Sequence, residues 1–175
     1  MTAHVTVSPM HEEREDGTVL RPSNDGDGAA IWKLIKNAGV LDLNSSYQYL
    51  MWCKYFSSTT VIAEQDETIV GFISAYILPE SPDVVFVWQV AVDESQRGRG
   101  LGTAMLHHLL GRKVCRSVRF LEATVSPSNV PSQSLFKKLA NTLHTECEVD
   151  ICFASEQFPE DQHEDEMTYR IGPMT

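Results

Sequence analysis

The stretch Gln96-Arg97-Gly98-Arg99-Gly100-Leu101-Gly102, following the apolar run of residues 84–92, constrains the fold more than any other part of the chain. A nearly continuous apolar run of that length reads as a central strand buried on both faces. The strand passes through Arg97-x-x-Gly100-x-Gly102 into a helix that begins near Leu101. A helix N-terminus leaves several backbone N–H groups unpaired and carries partial positive charge. Glycine puts no Cβ between those amides and an anion. The turn Arg97, Gly98, Arg99, Gly100, Leu101, Gly102 and Thr103 is therefore suited to hold a pyrophosphate. It is not a Walker loop, because no Gly-Lys-Ser/Thr follows. Nor is it the dinucleotide fingerprint, which wants an acidic residue about 20 positions on, where this chain has Arg119 and Phe120. The plain alternative is a glycine-rich connection that binds nothing.

Periodicity supplies the rest of the architecture. The 175 residues suit one core, and 42% apolar content can fill it. Residues 1–17 are polar and are expected to form a flexible tail, with 18–175 as a single domain. Residues 18–21 read as a strand ended by Pro22. Ser23 or Asp25 caps a helix running to Asn37, with Ile31, Leu34 and Ile35 on one face and Gly39 as its stop. Ser45 or Ser46 caps a second helix, on which Tyr47, Leu50, Met51 and Tyr55 recur at helical spacing. Residues 60–64 and 69–78 form a hairpin around Gln65-Asp66-Glu67-Thr68. After the central strand come a helix over 101–114, a strand over 119–125, a helix over 131–142, and strands over 146–153 and 166–171. The order β-α-α-β-β-β-α-β-α-β-β predicts an α/β fold, a twisted mixed sheet with helices on both faces.

Composition removes several functional classes. No apolar run is long enough to span a bilayer, and Glu12, Glu13 and Glu15 make the start unlike a secretory signal. Cys53, Cys115, Cys147 and Cys152 form no Cys-x-x-Cys pair. Reduced thiols in a cytoplasmic protein are expected, and no metal. The net charge of −10 argues against nucleic acid as a partner and suits a cationic substrate.

Further along, Asn129-x-x-Ser132-x-x-Leu135-Phe136 opens another helix. A central strand, the glycine turn and this second motif together resemble the GCN5-related N-acetyltransferase (GNAT) family. The resemblance implies the acyl-CoA N-acyltransferase fold, with acetyl-CoA as cosubstrate and its pyrophosphate on the 97–102 turn. In that family the central strand splays from its neighbour, leaving backbone groups free for the pantetheine arm and an N–H to polarise the acetyl oxygen. Carried over, the backbones of Val90 and Val92 contact the cofactor, Asn129 holds the pantetheine, and Phe136 packs against it. The side chains of Val90 and Val92 read equally as core. Family members often carry a tyrosine, which protonates the departing thiolate, where this chain has Phe136. Phenylalanine has no proton to give. Tyr47 and Tyr49 are the replacements on offer, though aromatic residues at helical spacing are also ordinary core.

Narrower segments sharpen the resemblance. They are Leu41-Asp42-Leu43-Asn44-Ser45-Ser46-Tyr47-Gln48-Tyr49-Leu50, Phe86-Val87-Trp88-Gln89-Val90-Ala91-Val92, Thr124-Val125-Ser126-Pro127-Ser128-Asn129 and His163-Glu164-Asp165-Glu166. With Val70-Gly71-Phe72-Ile73-Ser74-Ala75-Tyr76 and Arg170-Ile171-Gly172-Pro173 they are similar to the diaminobutyrate acetyltransferases of ectoine biosynthesis, over residues 20–173. That resemblance implies acetyl transfer to the 4-amino group of L-2,4-diaminobutyrate by a homodimer.

The residues are compatible with such a substrate. It carries two ammonium groups, for which Asp42 and Glu166 are candidate anions. Its carboxylate needs donors, which Asn44, Ser45, Ser46 and Tyr47 offer at a helix N-terminus. The same Asp-x-x-Ser reads as a helix cap. His163 and Glu166 read equally as part of a solvated acidic turn, and Trp88 as either a wall of the amine pocket or core. An alkylammonium has a pKa of about 10, so a base must take its proton before attack. Glu166 or Asp42, directly or through water, is that base, with no acyl-enzyme. Two rivals stand beside this reading. An acetyltransferase for a polyamine would not require the substrate carboxylate. A non-catalytic acetyl-CoA-binding module would bind cofactor without turnover on any amine.

Overall fold

The computed structural model describes residues 10–39, 41–159 and 163–175. Among the described residues, eight strands form one sheet in the order β1-β2-β3-β4-β5-β6-β8-β7. They are β1 (Glu12–Glu13), β2 (Val19–Arg21), β3 (Val61–Gln65), β4 (Thr68–Leu78), β5 (Ser81–Val92), β6 (Phe120–Val125), β7 (Glu146–Phe153) and β8 (Glu166–Gly172). Only β5 and β6 run parallel; every other neighbouring pair is antiparallel. A parallel pair requires a crossover, and α3 (Leu101–Leu110) supplies it. Helices α1 (Gly28–Ala38) and α2 (Ser46–Tyr55) precede β3, and α4 (Val130–Thr142) joins β6 to β7.

Two apolar clusters hold the layers together. One packs Ile31, Leu34, Ile35, Tyr49 and Cys53 of α1 and α2 on Ile62, Phe72 and Ala91. The other packs Leu101, Met105, Leu106 and Leu109 of α3 and Phe136, Leu139 and Ala140 of α4 on Val85, Val87, Leu121, Ala123, Tyr169 and Ile171. The alternation of in-facing residues along β6 is what lets one strand serve one cluster.

The mixed sheet and its element order match the expectation; three local readings need correction. Within the expected tail, Glu12 and Glu13 pair with Leu20 and Val19, so β1 extends the sheet; residues 1–9 lie outside the described residues. Helix α1 starts later than a Ser23 or Asp25 cap implies. Asp27 sits at its N-cap, and its carboxylate takes Arg21 Nη1 at 2.8 Å, Nη2 at 2.9 Å and the Asn24 N–H at 2.7 Å instead of capping an amide of the helix. That two-pronged ion pair fastens the helix to β2. Helix α3 ends at Leu110, short of Val114. The next turn carries Arg112 into the interior, where its guanidinium donates to Thr60 O at 2.6 Å and Ser58 O at 3.1 Å. Trp88, weighed as core or wall, is 49% exposed. Gly39 (φ +66°) does end α1, in the left-handed conformation that glycine tolerates without strain.

Among the described residues no helix is long and apolar enough to cross a membrane. No group of three or more His, Cys, Asp or Glu among them is placed to hold a metal ion.

Candidate active site

The site begins with a defect in the sheet. β5 pairs with β6 only from Val84↔Phe120 to Val87↔Ala123. β6 then continues along β8 to Val125↔Met167, while β5 continues along β4 to Val92↔Gly71. Beyond Val87 the two strands diverge, and among the described residues one edge of residues 88–92 has no ladder partner. Which amides face the gap follows from the pleat. Gln89 N–H is turned toward β4, donating to Ser74 Oγ at 3.1 Å, and Asp93 N–H donates to Val70 O at 2.8 Å on the same side. Alternation then turns the amides of Val90 and Val92 into the opening. Unpaired N–H groups inside a protein demand a partner, and an extended amide-bearing chain laid along the strand provides one.

Around that edge lies a cleft in two halves that share Leu41, Ser126 and Asn129. The first, of about 430 Å³, is mostly apolar: Ala38, Leu41, Val90, Ala91, Val92, Pro131 and Leu135 line it, with Arg97 at its end. The second, of about 470 Å³, is polar and acidic, lined by Asp42, Asn44, Trp88, Gln89, Thr124, His163, Glu164 and Glu166.

Two helix N-termini border the apolar half. Gly98 (φ +75°) and Gly100 (φ +74°) take left-handed backbone conformations between β5 and α3. The first intrahelical bond of α3 is Ala104 N–H to Gly100 O, at 3.0 Å. The amides of Leu101, Gly102 and Thr103 therefore precede the helical ladder and stand available to an anion. A Cβ on Gly102 would come within 3.2 Å of Leu135 Cδ1, so α3 and α4 approach closely there. At the start of α4, Asn129 Oδ1 accepts from Ser132 N–H at 3.2 Å, with Pro131 in the first turn, where its missing donor costs nothing.

In the polar half, Glu166 is the group whose protonation is most affected. Burial pushes its carboxyl above the ordinary value. Asp42 and Glu164 push the same way, against His163 and a hydrogen bond from Thr124. His163 stacks on Phe158 with ring centroids 3.6 Å apart, and its Nδ1 lies 2.6 Å from Glu164 O. The Glu164 carboxylate is bonded to Ser128 Oγ, which ties the 163–166 segment to the start of α4. Trp88 is held at the mouth by an edge contact on Trp52, 5.2 Å between centroids.

The fold thus gathers Asp42, Asn44, Trp88, His163 and Glu166 around one space, and Val90, Val92, Arg97 and Asn129 around the adjoining one. It leaves others aside. Ser45 Oγ accepts from Gln48 N–H at 3.4 Å as the cap of α2 and, with Ser46, borders a separate shallow depression. Tyr47 is 67% exposed and lines neither half. Phe136 is buried in the core beside Tyr169 rather than on the cleft wall, where its neighbour Leu135 stands instead. Tyr49 is buried, with its hydroxyl engaged by Gln89. Gln89 and Thr124 are cleft residues that the motifs did not single out as site residues. The only sign of Gln89 was a polar side chain inside an apolar run.

Three comparisons bear on the cleft. Residues 29–140 match the model of the Acetyltransferase (GNAT) family. An L-2,4-diaminobutyric acid acetyltransferase from Marinococcus halophilus is 55% identical over 160 residues, 91% of this chain and 92% of the relative. One from Halalkalibacterium halodurans is 51% identical over 157 residues, 90% and 82% of the two chains. Among solved structures, a diaminobutyrate acetyltransferase from Paenibacillus lautus, in complex with its substrate L-2,4-diaminobutyric acid and coenzyme A, superposes with a TM-score of 0.86. It is 45% identical, over 89% of this chain and 95% of that one.

Proposed function

The chain belongs to the Acetyltransferase (GNAT) family, and from that premise we propose that it transfers acetyl from acetyl-CoA to the 4-amino group of L-2,4-diaminobutyrate, giving N4-acetyl-L-2,4-diaminobutyrate for ectoine synthesis. The observation that carries this is the two-part cleft: an apolar half along unpaired strand amides continues into an acidic half walled by Trp88. A thioester lying along β5 brings its carbonyl to the junction, where an amine held by carboxylates meets it.

The division of labour follows from the chemistry of each group. The glycine turn and the first amides of α3 receive the pyrophosphate, with Arg97 adding charge. The amides of Val90 and Val92 bond the pantetheine arm, and one of them polarises the acetyl oxygen as negative charge develops on it. Asp42 and Glu166 attract the substrate ammonium groups, and Trp88 screens the attacking nitrogen from water. Glu166, made more basic than an exposed carboxylate by its burial, draws the proton from the 4-ammonium directly or through water. The neutral amine attacks the thioester carbon; as the C–S bond breaks, the nitrogen gives up its second proton to water, and water returns a proton to the departing thiolate. Solvent is the proposed donor because Phe136 carries no proton, Tyr49 is engaged elsewhere and Tyr47 stands outside the cleft.

The protein acts in the cytoplasm as a homodimer. The free cysteines suit a reducing compartment, and exposed Val149, Ile151 and Phe153 on β7 offer apolar surface to a second copy. Light scattering should give the mass of two chains. The test of the reaction is incubation with acetyl-CoA and L-2,4-diaminobutyrate, following thiol release and locating the acetyl group by NMR. Acetyl on the 4-nitrogen is the expected result. Equal turnover of polyamines, which lack the carboxylate, would move the assignment to another amine.

A further inference from the structure

We infer that Gln89, acting with Tyr49, is the positioning residue that sets the Asp42–Asn44 wall of the amine pocket, an inference that rests on the reaction proposed above. The segment between α1 and α2 carries Asp42 and Asn44, yet among the described residues no main-chain hydrogen bond joins residues 41–44 to the rest of the protein. Side chains do that work. Gln89 Nε2 donates to the backbone carbonyl of Asp42 at 2.9 Å. Gln89 Oε1 accepts from the Tyr49 hydroxyl at 3.2 Å, and that hydroxyl accepts from Asn44 N–H at 3.4 Å. Both ends of the wall are thus tied to one amide side chain.

Gln89 is itself well anchored. It is 6% exposed, sits on the central strand β5, and its own N–H is bonded to Ser74 Oγ. Tyr49 is 2% exposed and wedged edge-on against Phe72, 6.1 Å between ring centroids. An amide suits this place because it donates and accepts at once. A glutamate would face the Asp42 carbonyl with another acceptor, and a leucine would leave that carbonyl and the tyrosine hydroxyl without this partner. Because Gln89 lies between Trp88 and Val90, one strand places the indole wall, the strap on the carboxylate-bearing segment and the cofactor amide in fixed mutual register. Reactive geometry is lost steeply with displacement, about a hundredfold for a shift near 1 Å. The strap therefore acts on the amine substrate and not on the cofactor.

Gln89→Leu and Tyr49→Phe test this. Each should lower kcat/KM for diaminobutyrate about tenfold, the equivalent of one lost hydrogen bond, with the KM for acetyl-CoA little changed and the melting temperature lowered by a few degrees, about 2–4 °C per kcal/mol. The double variant should cost less than the sum of the single effects, because both substitutions remove the bond between Tyr49 and Gln89. Hydrogen exchange at the Asn44 amide should quicken in Tyr49→Phe, whatever the substrate. Losses that fall equally on both substrates, or that add in the double variant, would make the pair ordinary packing. Wild-type rates and exchange in Tyr49→Phe, a near-isosteric change that retains the fold, would overturn the inference alone. A wild-type enzyme inactive on diaminobutyrate would instead overturn the proposed reaction, and the exchange measurement would still decide the strap.

Discussion

On the proposed function, the two halves of the cleft recognise their ligands by different means. The apolar half works through main chain: strand amides at Val90 and Val92, helix-start amides at Leu101, Gly102 and Thr103, and a capped turn at Asn129. Its side chains mainly shape the groove. The acidic half works through side chains drawn from separate segments: Asp42 and Asn44 before α2, Trp88 and Gln89 on β5, Thr124 on β6, and His163 with Glu166 where β8 begins. A half built on backbone tolerates side-chain exchange and fails when the backbone path changes. A half built on side chains fails one residue at a time. On that proposal, amine specificity can be altered while cofactor binding is kept.

The sharpest break between the halves should come at Glu166. Glu166→Ala is expected to lower kcat by about 10²–10⁴, the usual range for losing a general base, while calorimetry finds acetyl-CoA affinity unchanged. A variant with parental turnover would remove Glu166 from the mechanism.

Next in size is the opposite lesion. Gly100 has φ +74°, and a β-branched side chain there is strained by about 1–2 kcal/mol. Gly100→Val should weaken acetyl-CoA binding about tenfold as the turn relaxes to another path, leaving the KM for diaminobutyrate within error. A loss of amine binding instead would show that the halves are not independent.

The pH dependence sharpens the same contrast. Burial raises the folded-state pKa of Glu166. The base form is thus gained at a higher pH than for an exposed glutamate, and kcat/KM should climb across that raised value. In Glu166→Gln the limb should vanish. The stability consequence has the opposite sign to the usual carboxylate. For a raised pKa the contribution is fully present below the unfolded value and is lost as pH rises through the folded one. At neutral pH the buried charge is a burden, so Glu166→Gln should melt at or above the parent by calorimetry, although it is inactive.

The smallest effect is expected at Asn129. Removing its side chain takes away the cap on Ser132 N–H, about 1 kcal/mol, or roughly 2–4 °C in melting temperature for a chain of this size. Acetyl-CoA should also bind more weakly. A change in stability alone would make Asn129 a cap and nothing else.

The cofactor half was legible because its signals are local. A glycine at positive φ, an asparagine with a proline in the first helical turn, and an apolar strand each state a backbone conformation within a few residues. The acidic half was legible only in fragments. Asp42, Asn44, Trp88, His163 and Glu166 stood in recognisable segments, but capping, core and solvated-turn readings fitted them as well. Thr124 and Gln89 stood inside such segments without being singled out as site residues, because a single polar residue on a strand does not say which face it occupies.

Phe136 and Leu135 show the same limit on a helix. Adjacent on α4, they differ by one position in orientation, and only the docking of α4 on the sheet put Leu135 on the cleft and Phe136 in the core. The order of elements, the glycine turn into α3 and the absence of a proton at Phe136 were determined by the sequence itself. These are statements about neighbouring residues and their intrinsic chemistry. The divergence of β5 from β6 after Val87, the convergence of three distant segments on Glu166 and the strap through Gln89 were decided by the tertiary structure. Each depends on strand register and helix docking, which arise from the packing of the whole core and from no single stretch of chain.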